Sequence, residues 1–144
     1  MHLLDVNALL AHGWPSHVHH RRVHEWMVRH AREGWFTCAI TQAAFVRISC
    51  QPSLSPHGFS IEEAWGTLRA NLRHPGHQQV PLEFSFDAVL ETCTAGIVGH
   101  RQITDGWLLT AAVRAGAKLL TFDSGVRHLL ATEQERKKHL LVLD

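Results

Sequence analysis

The chain has no Cys-x-x-Cys pair, and its three cysteines, Cys38, Cys50 and Cys93, are odd in number and far apart. That excludes a zinc ribbon and a thioredoxin-like redox motif, and leaves three small buried thiols in a reducing compartment. No apolar run approaches the ~20 residues of a membrane span. Asp5 stands too early for a signal-peptide core, so a soluble, cytoplasmic protein with no membrane association is expected. Charge of one sign is not in excess either, since 14 Lys+Arg face 13 Asp+Glu for a net +1. A strongly basic nucleic-acid coat and an acidic tail are thereby excluded, although a local basic patch is not. Repeats, linkers and low-complexity segments are lacking too, and 1–144 reads as one domain of the commonest size.

What is present is 45% apolar sequence, enough at this length to build a core without a metal or a disulfide. Thirteen histidines are unusual, and they make the charge rise steeply below pH ~6.5.

Short apolar runs alternate with helical patterns. His2–Val6 reads as a buried first strand ending at a carboxylate. From His17 to Glu33, Val23, Trp26, Met27 and Ala31 recur at helical spacing, and Gly34 stops the helix. Trp35–Cys38 is strand-like, and Thr41 is expected to cap a helix running to Ser49. Gln51–Phe59 is a loop. Ser60–Glu63 has the form of a capping box, followed by a stripe of Ile61, Ala64, Trp65, Leu68 and Leu72. Gln79–Leu82 suggests a short edge strand. Ser85 caps a helix ending near Gly96, with Phe86, Val89, Leu90 and Cys93 on one face. After a loop over 98–103, Thr104 caps an almost wholly apolar helix to Ala115, closed by Gly116. Lys118–Asp123 and Leu140–Leu143 read as the last strands. The expected fold is α/β, a short and mainly parallel sheet covered by helices on both faces.

In such sheets ligands sit beyond the carboxyl ends of the strands. Asp5 and Asp123 end two strands, and Asp105 opens the most apolar helix. Carboxylates gathered in one cleft raise one another's pKa, and a hard divalent cation removes that repulsion. Oxygen-only ligands select Mg²⁺ or Mn²⁺, and metal-assisted phosphodiester hydrolysis suits them.

Four ordered blocks carry a family resemblance. They are Leu3–Leu10 with its Asp-x-Asn, Ile40–Arg47, Ile103–Leu109 and Leu120–Asp123. Together they resemble a PIN domain, and most closely the VapC-type ribonuclease toxins of toxin–antitoxin pairs. The resemblance spans most of the chain. It implies a PIN-like fold and an Mg²⁺- or Mn²⁺-dependent endoribonuclease cutting RNA by in-line attack of a metal-activated water. It also implies inhibition by a cognate antitoxin, and commonly a homodimer. By the same resemblance Asp5, Asp105 and Asp123 are the catalytic, metal-holding carboxylates, with Asn7, Thr41 and Thr104 as supporting polar residues. One position departs from the pattern: where most members carry Glu three residues after the second-block Thr, this chain has Ala44.

Other candidates have plainer readings. His17, His19, His20 and His24 lack a Glu or Cys to complete a ligand set, so they read as a solvated or partner-facing surface. His100 and Arg101 precede the third block, where a cation can contact an RNA phosphate. Arg136–Lys138 reads as an exposed helix face. Glu83 or Glu91 are conceivable substitutes for the missing Glu. Two functions stay open: a cutting ribonuclease, and a PIN module that binds RNA or a protein without cutting, which Ala44 and the near-neutral charge favour.

Overall fold

Two adjacent leucines define the layers. Successive strand side chains leave on opposite faces, and Leu3 and Leu4 are both fully buried. Leu3 packs with Phe36, Leu109 and Leu119, and Leu4 with Leu9, Trp35 and Leu120. A strand buried on both faces belongs at the centre of a sheet. In the computed structural model, which describes residues 1–52 and 54–143, that strand is β1 (His2–Leu4).

The other strands are β2 (Trp35–Thr37), β3 (His77–Gln79), β4 (Lys118–Thr121) and β5 (Leu140–Val142). They form one five-stranded sheet in the order β3-β2-β1-β4-β5, and every pairing is parallel. The expected α/β sheet is therefore present, and is wholly parallel. Buried residues of α1 (Val6–Gly13), α2 (His20–His30), α3 (Ala39–Ser49) and α4 (Ile61–Leu72) join the Leu4 cluster. Those of α5 (Phe86–Thr92) and α6 (Gln102–Arg114) join the Leu3 cluster, and α7 (Glu133–His139) precedes β5. The chain builds outward from β1 to β3, then returns to the other side of β1 for β4 and β5. The strand order thus reverses between β1 and β4, which is where open α/β sheets take ligands.

Several boundaries differ from the sequence reading, each for a local reason. The run from His2 does not continue as strand to Val6; it turns into α1, capped by the Asp5 side chain. No helical periodicity marks α1, because Ala8, Leu9, Leu10 and Ala11 are all buried. Gly13 ends it under Phe45, whose ring would lie 2.6 Å from any added Cβ. Helix α2 starts at His20 rather than His17, and a 3-10 turn (Ala31–Glu33) completes the expected span to Gly34. The N-cap of α3 is Cys38, with Thr41 at the third position, its hydroxyl accepting from the Cys38 amide at 3.0 Å. Thr41 therefore closes the helix start, but from inside it.

The capping box of Ser60 and Glu63 is formed, yet only Ala64 and Leu68 of the α4 stripe are deeply buried, while Ile61 and Trp65 face outward. The edge strand lies at His77–Gln79 instead of Gln79–Leu82. The Val80 amide adds one more bond to Thr37 O at 2.9 Å, and Pro81 has no N–H to continue. Helix α5 stops at Thr92, and its Phe86 and Leu90 are exposed while Val89 is buried. Helix α6 begins at Gln102, so Thr104 lies in its first turn and not at the cap. The cysteines are free thiols, Cys38 and Cys93 buried and Cys50 half-buried. No helix among the described residues is long and apolar enough to cross a membrane.

Two of the histidines are structural. The Nδ1 atoms of His2 and His12 are buried without a hydrogen-bond partner. Burial, then the neighbouring imidazoles of His20, His24 and His74, holds His12 down at about 4. His2 is likewise lowered to about 4, by burial first. An unfolded imidazole titrates near 6.5, so below that pH the unfolded chain binds protons that the folded chain refuses. The stability these two histidines contribute should be full above pH ~6.5 and fall towards pH ~4, by on the order of 1–2 kcal/mol per histidine at pH 5. Denaturant unfolding at pH 7 and pH 5 measures the loss, and His12→Gln should make the difference smaller.

Candidate functional site

Asp5 is held in place by what the end of β1 requires. Its amide donates to Leu120 O at 2.9 Å, its carbonyl accepts from Leu9 N at 2.8 Å, and one carboxylate oxygen caps α1 by accepting from the Val6 amide. The other oxygen accepts the Thr121 hydroxyl at 2.7 Å, and the residue is buried. Burial pushes the Asp5 carboxyl up, the bonds from Thr121 and Val6 pull it back, and the Asp123 charge pushes it up again.

Thr121 reaches the next carboxylate as well. Its oxygen accepts the Asp123 amide at 2.9 Å, while Asp123 Oδ1 accepts the Gly125 amide at 2.7 Å and caps the 3-10 turn Ser124–Leu129. Asp105 comes from the first turn of α6. It is half-buried, and its carboxyl is pushed up to about 6, by burial first and then by the charges of Asp5 and Asp123. The three expected carboxylates thus lie on one cleft of about 480 Å³. Asp5 and Asp123 are also helix and turn caps, so the structural and the chemical roles coexist in the same side chains.

Asn7 and Thr104, both exposed, line the same cleft. Thr41 does not; it is buried at the start of α3. The opposite wall is α3, with Ala43, Ala44 and Arg47. Ala44 therefore faces the carboxylates, at the position where the resemblance expects Glu. Glu83 lies in a separate groove with Arg114, and Glu91 is an exposed residue of α5; neither lines the cleft. His100 and Arg101 are exposed just ahead of α6 and outside the cleft lining. His20 Nδ1 bonds Ala11 O at 2.7 Å, tying α2 to α1, and His24 stacks on it at 5.7 Å.

Two residues of the site had no assigned role in the sequence. Thr121 sits inside an apolar strand, where a threonine is ordinary. Arg47 lies three residues beyond Ala44, on the same helical face, and brings a cation to the cleft.

The donor set suits a hard divalent cation: carboxylates, an amide and a hydroxyl, all oxygen. The raised Asp105 carboxyl is the electrostatic strain such an ion relieves. Among the described residues no three His, Cys, Asp or Glu side chains are gathered tightly enough to hold an ion as they stand. The carboxylates interact through charge across the cleft. This is compatible with Mg²⁺, which keeps several waters and takes one or two carboxylates with substrate phosphate.

A parallel α/β domain with acidic residues at the strand-order reversal defines a class, an acidic ligand cleft on a doubly covered sheet. Its relatives narrow that class. The chain is 41% identical over 143 residues to Ribonuclease VapC38 of Mycobacterium tuberculosis strain H37Rv, covering 99% of both chains. It is 38% identical over 128 residues to Ribonuclease VapC39, covering 86% of this chain and 89% of that protein, and 33% identical to Ribonuclease VapC44, covering 98% of each, both of that species. A crystal structure of VapBC2 from Rickettsia felis, bound to a DNA fragment from their promoter, superposes with a TM-score of 0.67. It covers 99% of this chain and 98% of that one at 12% identity, a likeness of fold. No family model matches the chain. The identities establish that the chain belongs to the VapC ribonucleases, the PIN-type toxins.

Two consequences can be measured without RNA. The raised Asp105 carboxyl means that ionising it opposes folding, so the share of metal-free stability that Asp105 contributes should be greatest at low pH and decline through about 6, opposite in sign to that of His2 and His12. Asp105→Asn should then raise the melting temperature at pH 8 in EDTA, with the gain vanishing below pH ~4. Thr121→Val leaves a buried Asp5 oxygen without its donor, and should cost about 1–3 kcal/mol in urea unfolding.

Proposed function

We propose that this chain is a metal-dependent endoribonuclease toxin, silenced by a cognate antitoxin. The observation that carries it is the charge-coupled trio Asp5, Asp105 and Asp123 on one cleft at the strand-order reversal, in a chain whose full-length relatives are named ribonucleases. The residues that would hold Mg²⁺ or Mn²⁺ are those three carboxylates, with Asn7 and Thr104 beside them. A cation bound there supplies neutralisation of the cluster and a more acidic water.

The chain's own groups divide the remaining work. Thr121 and the Val6 amide fix the orientation of Asp5. The Gly125 amide fixes Asp123. Arg47, across the cleft, is suited to a non-bridging phosphate oxygen, because its planar fork matches phosphate geometry bidentately. His100 and Arg101, exposed ahead of α6, are candidate contacts for flanking phosphates. The apolar faces of Phe86, Leu90 and Val98 suit a second copy of the chain in a homodimer. The antitoxin is expected to place an arginine against Asp5 or Asp105.

Ala44 favours the other reading, a module that binds without cutting, and cleavage decides between them. Incubation with mixed structured RNAs in Mn²⁺ should yield discrete products, and EDTA or Asp105→Asn should reduce cleavage by at least about 100-fold, as expected when a transition-state electrostatic group is lost. Intact RNA under saturating metal would refute the enzyme. Ala44→Glu should restore a ligand and lower the metal concentration for half-maximal cleavage; an unchanged requirement in a folded variant would show that Ala44 is no vacated ligand position.

A further inference from the structure

A second cavity adjoins the cleft beneath the loop between α1 and α2. It measures about 470 Å³ and is walled by Asn7, His17, Val18, His19, Phe122 and Asp123. Asn7 and Asp123 line both spaces, so the two adjoin at those side chains. Its size falls within the ~300–1,000 Å³ of ordinary small-molecule sites.

The wall offers flat rings. His19 stacks on Phe122 with centroids 4.2 Å apart and planes 15° from parallel, and His17 lies 5.7 Å from His19. The loop carrying them is fixed from below. Trp14 is buried, stacks on Phe59 at 3.8 Å, and its Nε1 donates to Ser49 Oγ at 2.8 Å. His17 N donates to Trp14 O at 3.0 Å, and His20 N to His17 O at 2.9 Å. The His19 amide donates to His17 Nδ1 at 3.2 Å. A nitrogen that accepts carries no proton, so in the neutral ring the proton sits on Nε2, leaving a donor there. Burial, with His19 and His20 nearby, lowers His17 from its ordinary value and keeps it neutral at pH 7.

Single-stranded RNA is recognised through unstacked bases that lie on aromatic faces and hydrogen-bond along their edges. We propose that this cavity is a base-binding subsite for single-stranded RNA, in which the base beside the scissile phosphate stacks on the His19–Phe122 pair while His17 Nε2–H and the Asn7 amide bond its edge. The subsite rests on the ribonuclease reading above. It makes the loop between α1 and α2 a determinant of which nucleotide flanks the cut.

The test is binding of a labelled short single-stranded RNA to Asp105→Asn in Mn²⁺, followed by fluorescence anisotropy. In that background His19→Ala and Phe122→Leu should each weaken binding by at least roughly 5-fold, the lower end of what a lost base–aromatic stack costs. Arg21→Ala, on the exposed side of α2, should not. An abasic residue scanned along the RNA should erase the deficit at one position. Unchanged affinity in variants with native circular dichroism overturns the subsite, as does a deficit that persists at every abasic position. His19→Ala alone decides if Phe122→Leu does not fold. Unaltered RNA binding with weaker inhibition by the antitoxin would assign the cavity to the protein partner and overturn the proposal. The ribonuclease reading fails separately, if wild type with Mn²⁺ cuts no RNA.

Discussion

The Thr121 hydroxyl is the contact on which the site depends. It donates to the buried Asp5 carboxylate and accepts the Asp123 amide, so one oxygen ties the end of β1 to the end of β4. These are the strands between which the order reverses. A buried carboxylate without such a donor would be strongly disfavoured, and without the bond to Asp123 the turn after β4 would lose its anchor. The placement of Asp5 and Asp123 is thus part of the sheet.

The cleft works against the stability of the chain that holds it. Asp105 is held half-buried opposite two other carboxylates, with its proton affinity raised accordingly. Charge repulsion of that kind persists because the rest of the core is well supplied: apolar clusters cover both faces of the sheet, and α1 is buried on nearly every side. The same economy explains the double use of Asp5 and Asp123 as caps. Capping fixes each carboxylate's orientation while leaving further lone pairs for a ligand.

Alanine at position 44 changes the balance on the facing wall. The helix that would carry a fourth carboxylate instead presents Ala43, Ala44 and Arg47. A small side chain beside a cation leaves this wall without a carboxylate, so the negative charge of the cleft comes from Asp5, Asp105 and Asp123 alone.

Much was legible in the chain itself. Apolar doublets such as Leu3-Leu4 and Leu119-Leu120 announce strands buried on both faces, because side chains alternate, and an aspartate after such a doublet marks the strand end. The capping box at Ser60 and the stop at Gly116 are local hydrogen-bond and φ requirements, so they too are written locally. What the chain could not show was α1, whose burial on nearly all sides erases its period, and the exposure of Trp65 and Phe86, which depends on which neighbours arrive. Nor could it show that Thr121 bridges residues 5 and 123, that Arg47 enters the cleft, or that His19 meets Phe122. Those are contacts between segments brought together only by the order of strands in the sheet, and pairing across more than a hundred residues leaves no mark on the spacing of either partner.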